Sequence, residues 1–258
     1  KGQSRRIRVN QEKKLAKAKE SISWLDNELG EPLKGIIISR FGQHADVESE
    51  EGDIVRCNIR RAIKSLVCGD QVMWRRGKET KHSISGVIEA VEPRRSELVR
   101  PDVYDGIKAI AANIDQIFIV SSVLPAFNPD IIDRYIVAAE LTHIKPIILL
   151  NKCDLLDEDT QNEIDKTLSI YRHIGYQVEK ISCHKSEGLD TISQLIVDKT
   201  SIFVGQSGVG KSTLTNKLMP ELGLITQEVS ENSGLGQHTT TVARLFHFPS
   251  GGNLIDSP

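Results

Sequence analysis

Gly205, Gln206, Ser207, Gly208, Val209, Gly210, Lys211 and Ser212 follow the spacing G-x-x-x-x-G-K-[ST]. The β-rich run Ser201–Val204 precedes them and a helix-like stretch, Ser212–Met219, follows. Three glycines allow successive backbone N–H groups to face one anion, and the helix that begins there adds the positive end of its dipole. Lys211 is expected to reach β and γ phosphates, and Thr213 lies in the first turn beneath them. The Ser212 hydroxyl suits Mg²⁺, which takes few protein ligands and keeps its waters. This stretch binds a nucleoside triphosphate, with Lys211 in a catalytic as well as a binding role.

The base is read elsewhere. An apolar run, Pro146–Leu150, ends in Asn151-Lys152-Cys153-Asp154. A carboxylate at Asp154 accepts from guanine N1–H and the exocyclic amine together, a donor pair that adenine lacks, and such a contact discriminates by about 1–3 kcal/mol. Asn151 is expected to brace the phosphate loop and the base, and the Lys152 stem to cover the base plane. Ser182-Cys183-His184 follows the next strand-like run and is expected to back the base. Here the base-reading motif precedes the phosphate loop, the reverse of the order in Ras-like GTPases, so the domain reads as circularly permuted.

Between Ile225 and Val242 lies Gly234-Leu235-Gly236-Gln237-His238-Thr239-Thr240-Thr241, a loop able to supply a threonine to Mg²⁺. Thr240 is taken as the ligand, with Thr239 and Thr241 as alternatives. Taken by itself, His238 reads as a solvated loop histidine. Asp256-Ser257-Pro258 opens as the motif Asp-x-x-Gly, in which Asp256 holds Mg²⁺ through water.

The elements that must position these residues alternate. From residue 112 apolar strands interleave with helices: strands at Ile114–Val120, Pro146–Leu150, Gln177–Ser182 and Ser201–Val204, and helices at Pro129–Leu141, Asp159–His173 and Leu189–Val197. Gly251-Gly252-Asn253 marks a hairpin turn. Such a pattern predicts an α/β domain with a mostly parallel sheet, its ligand at the carboxyl ends of the strands. Residues 34–92 differ: short β-like runs at Gly35–Arg40, Asp53–Arg60, Gln71–Arg75 and Gly86–Val91 predict a small all-β OB-like barrel. Phe41 and Trp74 are either stacking surfaces for bases or core and rim aromatics. Residues 93–111 are polar, carry prolines and read as a linker, and 1–33 read as a basic arm that folds on its partner.

Charge divides the chain. Residues 1–20 hold eight Lys or Arg against two acids and residues 54–100 hold eleven against five, whereas the whole chain of 258 residues is at −2. A basic first part and an acidic remainder suggest that the arm and barrel meet a polyanion, with Arg5, Arg6, Arg60, Arg61, Arg75 and Arg76 as RNA contacts. No apolar run approaches the ~20 residues that span a bilayer, so no membrane role is expected. The four cysteines lack C-x-x-C spacing, which fits a reducing cytoplasm. Because the chain begins with Lys and stops inside a motif, it is expected to be a piece of a longer protein.

In this permuted order the motifs, with the basic arm and the barrel, resemble the RsgA (YjeQ) family of GTPases over nearly the whole chain. The resemblance implies a bacterial, monomeric GTPase that uses GTP and Mg²⁺ and acts late in small-ribosomal-subunit maturation. It also implies rRNA contact through barrel and arm, hydrolysis stimulated by the subunit, and His238 as the water-positioning group. Its members carry a C-terminal zinc domain whose Cys and His cluster does not occur in this sequence. Two other readings stand beside it: an RNA-binding module merely tuned by guanine nucleotide, and a phosphate-loop kinase, against which Asp154 argues.

Overall fold

The computed structural model describes residues 24, 26–81, 83–102, 106–221 and 243–256. Arg5, Arg6, His238 and Thr240 lie outside them.

Strands β1 (Leu29–Phe41), β2 (His44–Ser49), β3 (Ile54–Ile59), β4 (Gln71–Lys81) and β5 (Ile84–Val91) form the first unit. β1 pairs antiparallel with both β2 and β4, β2 with β3, and β4 with β5, while β3 runs parallel to β5. That circuit closes, so the unit is an OB-like barrel with no free edge. Its interior is Ile37, Ala45, Val47, Val55, Cys57, Leu66, Val72, Trp74 and Ile88. Trp74 is 0 % exposed and its Nε1 donates to the Lys34 carbonyl, so stacking on a base is excluded for it. Gly35 and Gly86 lie where a Cβ would press on that indole. Phe41 is 41 % exposed, with the Arg56 guanidinium 5.1 Å over its ring.

Two expectations are corrected here. The barrel begins at Leu29 rather than residue 34, because Leu29 is buried with Trp24 and Val87 although Gly30, Glu31 and Pro32 break the apolar pattern around it. The stretch read as a linker instead contains an antiparallel hairpin, β6 (Glu97–Asp102) with β7 (Gly106–Ala112).

A mixed sheet makes the second unit. In chain order it comprises β8 (Gln116–Ser122), α1 (Pro129–Leu141), β9 (Lys145–Asn151), α2 (Glu158–Ile174), β10 (Gln177–Lys180), α3 (Leu189–Leu195), β11 (Thr200–Val204), α4 (Lys211–Leu218), β12 (Arg244–His247) and β13 (Asn253–Asp256). The spatial order is β10-β9-β8-β11-β13-β12, parallel except for β12. All seven residues of β8 are buried, as a strand covered on both faces requires. α1 and α2 cover one face, where Ile132, Ile136, Ile164 and Leu168 meet Ile119 and Ile148. On the other face α3 and α4 bring Ile192 and Leu214 against Phe118 and Leu149. The helix starts are encoded locally: Asn128 caps α1 ahead of Pro129, and the Asp157 carboxylate accepts from Thr160 N at 2.8 Å to start α2.

The two units are joined twice. At the first joint the fully buried Asp70 carboxylate accepts from Arg94 Nε at 2.7 Å, from Arg94 Nη2 at 2.8 Å and from Val67 N at 2.8 Å. Beside it Asn113 donates to the Gly69 carbonyl at 2.9 Å, and Gly69 has no room for a Cβ against the Ala112 carbonyl. At the second, β12 pairs with β1 through Ser39 and Arg244, and Ser39 Oγ donates to the Ala243 carbonyl at 3.3 Å. Nearby, His247 Nε2 lies 2.7 Å from Glu48 Oε2 and Nδ1 lies 2.6 Å from Asn253 Oδ1. Asn253 spends its amide on Thr200 Oγ1, so both ring nitrogens face acceptors, an arrangement that favours the imidazolium. Partial burial opposes that charge, but the bonds to Glu48 and Asn253 outweigh it and raise the ring above its ordinary value.

Removing one partner of a buried bidentate pair strands the other charge. Arg94→Ala, which leaves Asp70 buried without its cation, should therefore cost about 3 kcal/mol in denaturant unfolding, and a loss under about 1 kcal/mol would remove the joint from the stability of the fold. At His247 the raised folded value means that its contribution is complete below the unfolded value, about 6.5, and fades as pH rises through the folded one. Glu48→Gln should lower the thermal midpoint at pH 6 and converge with the parent protein once the pH has risen through the folded value. A pH-independent gap would contradict this.

Candidate nucleotide site

β11 ends at Val204, and the chain turns at Gly205, whose Cβ would collide with the Val120 carbonyl on the neighbouring strand. Gly208 and Gly210 take φ of 82° and 101°, conformations that side chains rarely adopt. Gln206, Ser207 and Gly208 face solvent, while Val209 is buried in the core and pins the loop from below. α4 begins at Lys211 with Ser212 and Thr213 exposed on its first turn, so its free N–H groups open to the same side. Lys211 Nζ donates to the Gly205 and Gln206 carbonyls at 2.7 and 2.8 Å. Burial holds its ammonium below the ordinary lysine value, a shift that phosphate oxygens would oppose.

Asn151 ends β9 and is 1 % exposed. Its Nδ2 donates to the Val209 carbonyl at 2.9 Å, and its Oδ1 accepts from Lys152 N at 2.8 Å and Cys183 N at 3.3 Å. One carboxamide thus ties the phosphate loop to both base-side loops. Lys152, in the left-handed region at φ 63°, sends Nζ to the Leu124 carbonyl at 2.6 Å and the Gly208 carbonyl at 2.8 Å. Asp154 sits in the 3-10 turn Cys153–Leu155, and its Oδ1 accepts from Ser182 Oγ at 2.5 Å. That hydroxyl leads the causes that hold the Asp154 carboxyl below its ordinary value, with the charges of His184 and Lys185 helping against partial desolvation. The result is an ionised acceptor with lone pairs left for a guanine edge. His184 stands beside it, 86 % exposed, with Nδ1 3.9 Å from Asp154 Oδ2.

Asp256 closes β13, which lies next to β11 in the sheet. Desolvation pushes its carboxyl above the ordinary value, which a cation would reverse. Oxygen donors of this kind, a hydroxyl at Ser212 and a carboxylate at Asp256, suit Mg²⁺.

The structure brings Asn151, Asp154, Ser182 and the phosphate loop together at the carboxyl ends of β9, β10 and β11. Two details differ. Ser182 acts on Asp154 through its hydroxyl, and the Cys183 amide is already engaged by Asn151. The turn Val123–Asn128, which sequence reasoning passed over, touches Lys152; its one signal was a proline-bearing apolar turn directly after a strand.

On the barrel, Arg60 Nη2 lies 2.9 Å from Glu89, and Arg75 lies 3.3 Å from Asp26 and 3.7 Å from Glu89. Arg76 reaches Asp53 at 3.4 Å and stacks 5.6 Å over Trp74, and Arg61 is exposed beside them.

The family model for the RsgA GTPase matches residues 91–258. The chain belongs to the RsgA GTPase family. It is 55 % identical over 260 residues to the small ribosomal subunit biogenesis GTPase RsgA of Pectobacterium atrosepticum, covering 100 % of this chain and 74 % of the relative. Against the small ribosomal subunit biogenesis GTPase RsgA 1 of Vibrio parahaemolyticus it is 57 % identical over 261 residues, with the same coverage. The crystal structure of YjeQ from Thermotoga maritima superposes with a TM-score of 0.70 at 31 % identity, covering 88 % of this chain and 75 % of that one. YloQ, a circularly permuted GTPase, gives a TM-score of 0.66 at 30 % identity over 92 % and 74 % of the two chains. As an RsgA-family member the chain is a GTPase that binds guanine nucleotide, and the kinase reading falls away.

In this RsgA-family site Asp154→Asn replaces an acceptor with a donor toward the guanine edge. The preference for GTP over ATP in competition with fluorescent GDP should fall by about 1–3 kcal/mol. An unchanged preference would remove Asp154 from base recognition.

Proposed function

We propose that this GTPase binds the small ribosomal subunit and hydrolyses GTP late in the subunit's maturation, with the subunit stimulating turnover. The observation that carries the reading is the convergence of Lys211, Asn151 and Asp154 at one end of the sheet, joined to a barrel with an arginine-bearing surface. The relatives named as small ribosomal subunit biogenesis GTPases support it. Nucleotide contacts run from residues 205 to 213, with Asn151, Lys152, Asp154, Ser182 and Cys183 at the base.

Lys211 and the backbone N–H groups of the phosphate loop oppose the charge that develops on the β and γ oxygens. Ser212, Thr240 and Asp256 would hold Mg²⁺, which supplies further charge neutralisation when bound. His238 orients the attacking water with a ring nitrogen. The protein acts as a monomer in the cytoplasm, where the subunit is its partner. Among the described residues no helix is long and apolar enough to cross a membrane. Arm residues Arg5 and Arg6 and barrel residues Arg60, Arg61, Arg75 and Arg76 contact rRNA phosphates. The working units are the arm, the barrel to residue 92, its connection to residue 111 and the GTPase domain from residue 112.

GTP hydrolysis by the full-length protein, with and without purified small subunits and with ATP as a control, tests this. A large GTP-specific rise is expected; no rise would overturn the subunit as partner. His238→Ala should cut the stimulated rate by about a hundredfold, the low end for positioned proton-transfer groups, with GDP affinity retained. A stimulated rate equal to that of the unaltered protein would remove His238 from the mechanism.

A further inference from the structure

The turn between β8 and α1 contains no ionisable residue, yet it holds a charge. Lys152 Nζ is gripped between the Leu124 carbonyl of that turn, at 2.6 Å, and the Gly208 carbonyl of the phosphate loop, at 2.8 Å. A non-glycine residue at φ 63° stays there only if its surroundings hold it. The Asn151 side chain fixes the Lys152 amide, and the two carbonyls fix the far end of the side chain.

The Leu124 carbonyl is itself held in place. Ser122, 1 % exposed, donates from Oγ to the Pro125 carbonyl at 3.2 Å, so the turn closes on the residue that follows Leu124. Val123 N donates to the Asn151 carbonyl at 3.3 Å, which ties the turn to the base-reading strand end. The Pro125 ring comes within 3.5 Å of the place a Cβ on Gly208 would take. Pro125, Ala126, Asn128, Gln206 and Val209 line a narrow cavity of about 10 Å³ between the turn and the phosphate loop. Lys152 is therefore the one charged bridge that the described residues place between these two loops.

We propose that Ser122 and Pro125 are positioning residues for Lys152: by holding the Leu124 carbonyl they aim the lysine stem along the base and thereby set the rate at which guanine nucleotide leaves. This rests on the nucleotide site assigned above. Base identity is read independently by Asp154 and Ser182, and the phosphates by Lys211, so loosening the turn changes residence time and KM, not the guanine preference or the rate at saturation.

The test follows release of methylanthraniloyl-GDP from the full chain by stopped flow. Ser122→Ala should speed release about fivefold, the equivalent of one net hydrogen bond, with kcat at saturating GTP and the GTP-to-ATP preference unchanged. Pro125→Ala, at a partly exposed position, should shift release in the same direction and guards against a folding defect at buried Ser122. In a Lys152→Ala background Ser122→Ala should add nothing, because its effect passes through the lysine. Release at the parent rate in both single variants, or effects that multiply in the double variant, would overturn the proposal. Failure of the unaltered protein to bind the probe would instead overturn the nucleotide-site reading, and this inference with it.

Discussion

The Asn151 carboxamide is the contact on which the site depends. Its three hydrogen bonds go to residues that follow three different strands, Val209, Lys152 and Cys183, and none of them is near it in sequence except its own neighbour. Gly210 must be glycine because a Cβ there would collide with the Asn151 amide nitrogen. An amide buried this deeply is costly unless it is hydrogen-bonded, so the three loops it bonds are set together. This explains how a permuted chain builds the same site. The contacts join neighbouring strand ends, and strand adjacency, unlike the order of the connections, survives permutation.

The barrel is fixed to this sheet at both ends of the GTPase unit. Arg94, just ahead of β6 and β8, is locked to Asp70 of the barrel, and β12, near the end of the chain, pairs with β1. Through the β12–β1 pairing the six strands of the GTPase unit and the five of the barrel form one continuous order of eleven. β13 lies between β12, which the barrel holds, and β11, which delivers the phosphate loop. A displacement of the barrel therefore bears first on the strand that ends in Asp256, because packed strands move as units and do not bend continuously.

What the sequence made legible was chemistry at fixed spacing and elements with strong periodicity. The spacing of residues 205–212 and of 151–154 could be read directly, and α1 matched from Pro129 to Leu141 because cap, proline and apolar spacing agree. β2 was missed: His44, Asp46 and Glu48 alternate with two small apolar residues, Ala45 and Val47, so the strand reads as polar even though its inward face is buried. The hairpin at 97–112 was read as a linker because Pro101 and the charged residues around it suggest no strand, and a partner strand in antiparallel register supplies what propensity lacks. The Lys152 bridge could not be read at all. Its acceptors are backbone carbonyls 28 and 56 residues away, and a carbonyl carries no sequence signature.

Composition also overstates the charge that the barrel offers. Much of the excess of Lys and Arg in residues 54–100 is spent within the molecule: Arg94 on Asp70 and Glu97, Arg60 and Arg75 on Asp26 and Glu89, and Arg76 on Asp53. These pairs are not equivalent. Arg94 is committed, since freeing it would leave Asp70 buried and unpaired, whereas exposed pairs such as Arg76–Asp53 hold each other by only about 0–1 kcal/mol. A polyanion that approached Arg60 and Arg75, which share Asp26 and Glu89, would exchange weak carboxylate contacts for phosphate ones and gain the release of its own counterions. The same exchange would make such an interaction depend strongly on salt, with Asp26 and Glu89 as built-in competitors against any ligand too short to engage several arginines at once.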